Sequence, residues 1–162
     1  MEAETTIRLL QGSSEAEHCA QLMAESQPWQ TLRRNFEHCL KAVTDPIREV
    51  YVARVGHEFA GFMILALRGP FPGYIQTIAV TPGRRRQGIG RKLIAFAEAR
   101  IFPNFPNVFL CVSSFNHDAQ RLYQRLGYEQ VGELRDYVVA GHSEILMRKT
   151  RGPIADYIPI QR

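Results

Sequence analysis

Arg84, Arg85 and Arg86 run directly into Gln87, Gly88, Ile89 and Gly90, and from Arg91 to Arg100 the apolar spacing is helical. Arginine forks bind phosphate through paired N–H groups, and glycines let the backbone come close to a bulky anion. A helix start leaves its first N–H groups unpaired and carries partial positive charge, so a phosphate lodged there is stabilised by both. Two phosphate-binding designs can be tested on spacing alone. Gly83 and Gly88 have the separation of the P-loop glycines, but Ile89 and Gly90 stand where that motif needs Lys and then Ser or Thr. The dinucleotide fingerprint fails too, because Gly88-Ile89-Gly90 is followed by Arg91, Lys92 and Leu93 with no third glycine. A turn of this composition also occurs in α/β chains that bind no anion, so the loop needs a second signal.

The elements that would position this turn follow from periodicity. A strand over Ile7 to Leu10 precedes a helix whose cap candidates are Ser13 and Ser14, with Glu17 completing a capping box. Trp29, Leu32, Phe36 and Leu40 predict a second helix from Trp29 to about Val43, stopped by Asp45-Pro46. Glu49 to Val55 and Phe59 to Leu67 read as a hairpin turning through Gly56, and Gly69 to Gly73 break the chain again. Then come a strand from Tyr74 to Val80, a helix from Gly90 to Ile101, a strand from Val108 to Ser113 and a helix from Asn116 to Leu126. Strands over Tyr128 to Leu134 and Ser143 to Arg148 close the series. The order β, α, α, β, β, β, α, β, α, β, β predicts a mixed sheet with helices on its faces, in the α/β (α+β) class.

The chain has 162 residues, 45% of them hydrophobic, enough for one domain over residues 1–150. The tail, residues 151–162, carries Ile154, Tyr157, Ile158 and Ile160 and is expected to pack on its own domain or on a second copy in a homodimer. A net charge of +4 favours an anionic partner. Cys19, Cys39 and Cys111 have neither disulfide-framework nor metal-ligand spacing, so no metal is expected and a reducing compartment fits best. The longest apolar run, Phe62 to Leu67, is too short to span a bilayer. A cytoplasmic protein with no membrane partner is the expectation.

The second signal lies downstream, in Asn116, Ala119, Leu122, Tyr123, Leu126, Gly127 and Tyr128. Together with Arg85-Arg86-Gln87-Gly88-Ile89-Gly90 it resembles the GNAT acetyltransferase superfamily. That family writes its pyrophosphate loop Q/R-x-x-G-x-G/A and its later segment N-x-x-A-x-x-L-Y-x-x-L-G-F/Y. The two blocks cover Tyr74 to Tyr128, and Pro28-Trp29 and Gly141-His142 resemble the ribosomal-protein alanine acetyltransferases within it.

The resemblance implies a mostly antiparallel twisted sheet of about seven strands, splayed between the fourth and fifth. It implies acetyl-CoA as co-substrate, with its pyrophosphate on the amides of Arg86, Gln87, Gly88, Ile89, Gly90 and Arg91 and its pantetheine along Ile78, Ala79 and Val80. The amide of Val80 or Ile78 would polarise the thioester carbonyl. Tyr123, otherwise read as a core tyrosine, becomes the general acid for the departing thiolate, and Asn116 a cofactor contact as well as an N-cap. In the alanine acetyltransferases a glutamate on the strand before the Asn-bearing helix is the base; here Cys111 stands there. Glu144, His142 and Asp136, directly or through water, are the replacements. The resulting reading is an acetyl-CoA-dependent N-acetyltransferase acting on an amine-bearing small molecule or peptide. Two rivals are a catalytically inactive CoA-binding sensor of the same fold and a nucleic-acid module using Arg84 to Arg86 and Lys92. The second lacks the interleaved aromatic residues that such surfaces use.

Overall fold

A computed structural model describes residues 4–160. In chain order the strands and helices are β1 (Thr5–Leu9), α1 (Gly12–Ala24), α2 (Phe36–Val43), β2 (Glu49–Val55), β3 (Glu58–Ala66), β4 (Tyr74–Val80), α3 (Ile89–Ile101), β5 (Asn107–Ser113), α4 (His117–Arg125), β6 (Glu129–Arg135) and β7 (Ser143–Thr150). The strands form one sheet in the order β1-β2-β3-β4-β5-β7-β6, antiparallel throughout except between β4 and β5. This is the predicted element order, and the predicted helices lie on both faces. One core packs α3 on Met63, Leu65 and Leu110; the other packs α1 and α2 on Val52, Phe62 and Ile64.

Two helix starts differ from expectation. The Ser14/Glu17 capping box does not form: α1 begins at Gly12, and Glu15 instead accepts the Gln11 N–H at 2.8 Å. Glu15 also binds Arg8 at 2.9 Å and Arg54 at 3.3 Å, so two cations bring its carboxylate to this end of the helix. The second helix starts at Phe36 rather than Trp29. Asn35 is its N-cap, accepting the His38 N–H at 3.0 Å, and Arg33 takes a left-handed φ of 55° that no helix interior allows. Residues 26–34 are instead a series of tight turns, with Leu32 N–H on Pro28 O and Arg34 N–H on Trp29 O. The apolar spacing was real all the same: Trp29, Phe36 and Leu40 all pack on the α1/α2 core.

β4 is the strand on which the site depends. Ile64 pairs with Thr77 and Leu65 with Ile75, leaving Gln76 as an extra residue in a β-bulge. The bulge reverses the side-chain alternation. Ile75 faces the α3 core, and beyond the bulge so do Ile78 and Val80, while Ala79 turns to the other face. Arg48 Nε donates to Gln76 Oε1 at 2.7 Å and so ties down the bulged residue. Beyond Ile75 the parallel pairing with β5 ends, with only Tyr74 opposite Phe109 and Ile75 opposite Leu110. The sheet therefore splays open between β4 and β5, as expected.

The far side of β4 is held by close contact. A Cβ on Gly61 would lie 2.4 Å from Ala79 O and 3.1 Å from Val80 Cα, both backbone atoms that cannot swing aside. Gly61→Ala is expected to destabilise the fold by about 2 kcal/mol, the scale of overpacking. Thermal or denaturant unfolding measures it. The same change would push Ala79 and Val80 into the gap.

Candidate active site

Thr81 donates to Ala60 O at 2.9 Å, which fixes the hydrogen-bonding direction of β4. Residues in an antiparallel ladder alternate, so the N–H and C=O of Ala79 also face β3, while those of Ile78 and Val80 face the open gap. Arg85 Nε reaches the outward Val80 O at 3.3 Å. Beside that carbonyl, the strand presents the Ile78 and Val80 N–H groups and the Ile78 C=O along the opening.

At its end the chain makes a short turn, Pro82–Arg84, and enters α3. Arg86 at φ 62° and Gly88 at φ 78° are both left-handed. Gly88 is the N-cap and supplies no side chain, so the first N–H groups of α3 have no capping side chain. The three arginines divide. Arg84 is held by Glu58, whereas Arg85 and Arg86 are exposed beside the helix start.

α4 forms the facing wall. Asn116 Oδ1 accepts the Ala119 N–H at 3.3 Å, so the N-cap reading holds, and the same residue borders the gap. Gln120 Nε2 donates to the carbonyls of Ser113 and Ser114 at 3.1 and 3.0 Å, locking α4 to the end of β5. Gly127 takes the left-handed conformation after the helix, as expected. Tyr123 is half-buried, its ring edge-on to Tyr128 at 5.9 Å. Tyr128 in turn donates to Glu98 of α3 at 3.1 Å, and Lys149 of β7 pairs with that carboxylate at 2.9 Å. Burial pushes the Tyr123 phenol up to about 12.

Two cavities meet at Ile78, Asn116, Ala119 and Tyr123. One, of about 460 Å³, runs past Val80 and Arg85 towards the α3 start. The other, of about 290 Å³, extends under Trp29 and Leu32 to Tyr74, Cys111 and Glu144. Glu144 stands opposite Ser113 in the β5/β7 ladder, is 7% exposed, and accepts from Ser113 Oγ at 2.7 Å. Burial raises its carboxyl above the usual range, partly offset by the Ser113 bond and the nearby charge of His142. Burial likewise raises the Cys111 thiol, and the Tyr74 phenol lying against it.

The other candidate bases are placed differently. His142 packs edge-on to Phe115 at 5.0 Å, and neither cavity is lined by it. Asp136 accepts the Gly141 N–H at 2.7 Å and closes the β6–β7 turn. Sequence reasoning missed Ser113 and Gln120, whose partners arise from the β5/β7 register and from α4 docking. It also missed Arg34 and His38 in the cavity wall, because both fell inside a predicted helix. Among the described residues no cluster of three metal-ligating side chains occurs, and no helix is long and apolar enough to cross a membrane.

A splayed β4/β5 pair, an uncapped helix start beside it and a tyrosine on the facing helix border the two cavities. Residues 11–128 match the model of the acetyltransferase (GNAT) family, and the chain belongs to that family. It is 31% identical over 147 residues to the N-alpha-acetyltransferase RimI of Mycobacterium tuberculosis, covering 86% of this chain and 89% of the relative. A ribosomal-protein alanine N-acetyltransferase from Escherichia coli superposes with a TM-score of 0.72 at 20% identity, over 96% of this chain and 100% of that one. An aminoglycoside 6'-N-acetyltransferase complexed with coenzyme A gives 0.73 at 17% identity, over 91% and 98%.

Proposed function

We propose that the protein moves an acetyl group from acetyl-CoA to a primary amine, by direct attack of the bound amine on the thioester in a ternary complex. The observation that carries this is the meeting of two cavities at Tyr123 over the β4/β5 gap. In this reading the pyrophosphate takes the amides from Arg86 to Arg91, and the pantetheine amides bond the outward backbone groups of Ile78 and Val80. One of those N–H groups donates to the thioester carbonyl, where charge develops during attack. Counted from its ammonium form, the amine nitrogen gives up two protons over the reaction. Glu144 accepts from the acceptor side, Tyr123 donates to the departing sulfur, and the balance leaves one proton on CoA and one in solvent.

The α3 start allows a test of the donor half alone. Gly90 has no left-handed φ, and a Cβ there would meet nothing closer than Val80 Cγ2 at 4.0 Å, so folding does not demand glycine. Gly90→Leu is therefore expected to keep its unfolding midpoint. It should weaken CoA binding at least about tenfold, the loss of one charge-assisted hydrogen bond. Calorimetry with CoA reads this directly. The full reaction is tested by mass spectrometry of a mixed panel of amines and peptides incubated with acetyl-CoA: gain of one acetyl group on an amine supports the reading. CoA binding without transfer to any acceptor would favour the sensor.

A further inference from the structure

The acceptor-side cavity carries a charge pattern that acetyl transfer does not itself require. Among the described residues its wall holds one carboxylate, Glu144, and one guanidinium, Arg34, with the His38 imidazole near the latter. The two charges come from different elements. Glu144 belongs to β7, at the sheet, fixed by Ser113. Arg34 and His38 flank the Asn35 cap at the start of α2, and both are exposed. The Arg34 side chain forms no ion pair among the described residues. Between the charges the wall is neutral, with Trp29, Leu32, Tyr74 and Tyr137.

We infer that the acceptor carries a single amine, received at Glu144, and a carboxylate several atoms away, received at Arg34. That is the chemistry of a free acidic amino acid, through its side-chain carboxylate, or of a peptide N-terminus followed by an acidic residue. Polyamines and aminoglycosides fit poorly. With one ammonium at Glu144, their remaining cations would share a cavity of about 290 Å³ with Arg34 and find no second carboxylate in its wall. The α2 N-terminus adds a weaker contribution of the same sign, since its partial positive charge also favours an anion. The inference rests on the transferase reading only in naming the amine as the reacting group.

The test measures binding to the CoA-saturated protein by calorimetry, and initial rates with acetyl-CoA. The probes are an Ala-Glu-Ala-Ala amide, its Gln and Lys counterparts, free alanine and glutamate, and spermidine. The Glu peptide is expected to bind about five- to tenfold more tightly than the Lys peptide, the scale of one partly screened charge pair. Arg34→Glu should reverse that order at an unchanged unfolding midpoint. Free glutamate binding as well as the Glu peptide would assign the carboxylate to the free acidic amino acid; much weaker binding would assign it to the peptide side chain. Equal binding of the Glu and Lys peptides, tighter binding of spermidine, or no binding of any probe overturns the inference. The predicted order without turnover would overturn the transferase reading alone, and turnover with the opposite order this inference alone.

Discussion

Tyr123→Phe is expected to lower kcat by about 10²- to 10³-fold, within the range for removal of a general acid, while CoA affinity changes little. In the proposed mechanism the ring contributes to structure and the hydroxyl to chemistry. Phenylalanine keeps the edge contact with Tyr128 and the apolar face of α4, so the fold is preserved. No protein partner of the Tyr123 hydroxyl occurs among the described residues, so its removal leaves no buried group unpaired. At a value of about 12 the phenol is protonated throughout the neutral range. The sulfur it serves titrates near 8 to 9, so the hydroxyl acts by lending its proton as the C–S bond breaks. An alkaline fall in kcat from Tyr123 is accordingly not expected below about pH 11. An unchanged kcat in Tyr123→Phe, measured at saturating acetyl-CoA, would remove Tyr123 from the mechanism.

Glu144→Gln should lower kcat by about 10²-fold and abolish the acid limb of the kcat profile. Glutamine is nearly isosteric, and its Oε1 can still accept from Ser113 Oγ, so position is kept and only proton affinity is lost. In the proposed mechanism Glu144 is the base and works when ionised. Because burial holds its carboxyl above the ordinary glutamate value, activity should rise with pH through that raised value and then level. Stability should move the other way. A carboxyl whose folded pKa is raised binds its proton more tightly in the folded state, so its contribution is complete below the unfolded value and falls as pH rises through the folded one. Glu144→Gln is therefore expected to be at least as stable as the parent at neutral pH while far less active. Loss of both stability and activity would mark Glu144 as structural.

The fold was legible because its strands carry a clear signal. β2 and β4 match their predicted bounds, and the β4/β5 splay came with the family resemblance rather than from periodicity. Local capping was not legible. Ser14 with Glu17 satisfies the sequence pattern of a capping box, but Arg8 and Arg54 arrive from two strands and hold Glu15 instead. Similarly, Trp29 to Leu40 has helical spacing, yet Asn35 is the stronger helix start, and the left-handed Arg33 turns the preceding segment over the cavity. The proposed donor half of the site lies in one contiguous run, from Ile78 to Arg91, and could be read off the chain. The proposed acceptor half draws on Arg34, Ser113 and Glu144, residues far apart in sequence that line one cavity only through strand register and helix docking. Glu144 stood among three candidate bases in sequence. It alone combines burial, a hydrogen-bonded carboxylate and a place in the cavity wall.

Direct transfer at the junction of the two cavities is tested most directly by initial rates with acetyl-CoA and an accepted amine both varied. Intersecting double-reciprocal lines, with no acetylated protein when acetyl-CoA is supplied alone, are the predicted result. Parallel lines together with an acetyl group on the protein, for instance on the Cys111 thiol in the cavity wall, would contradict the account.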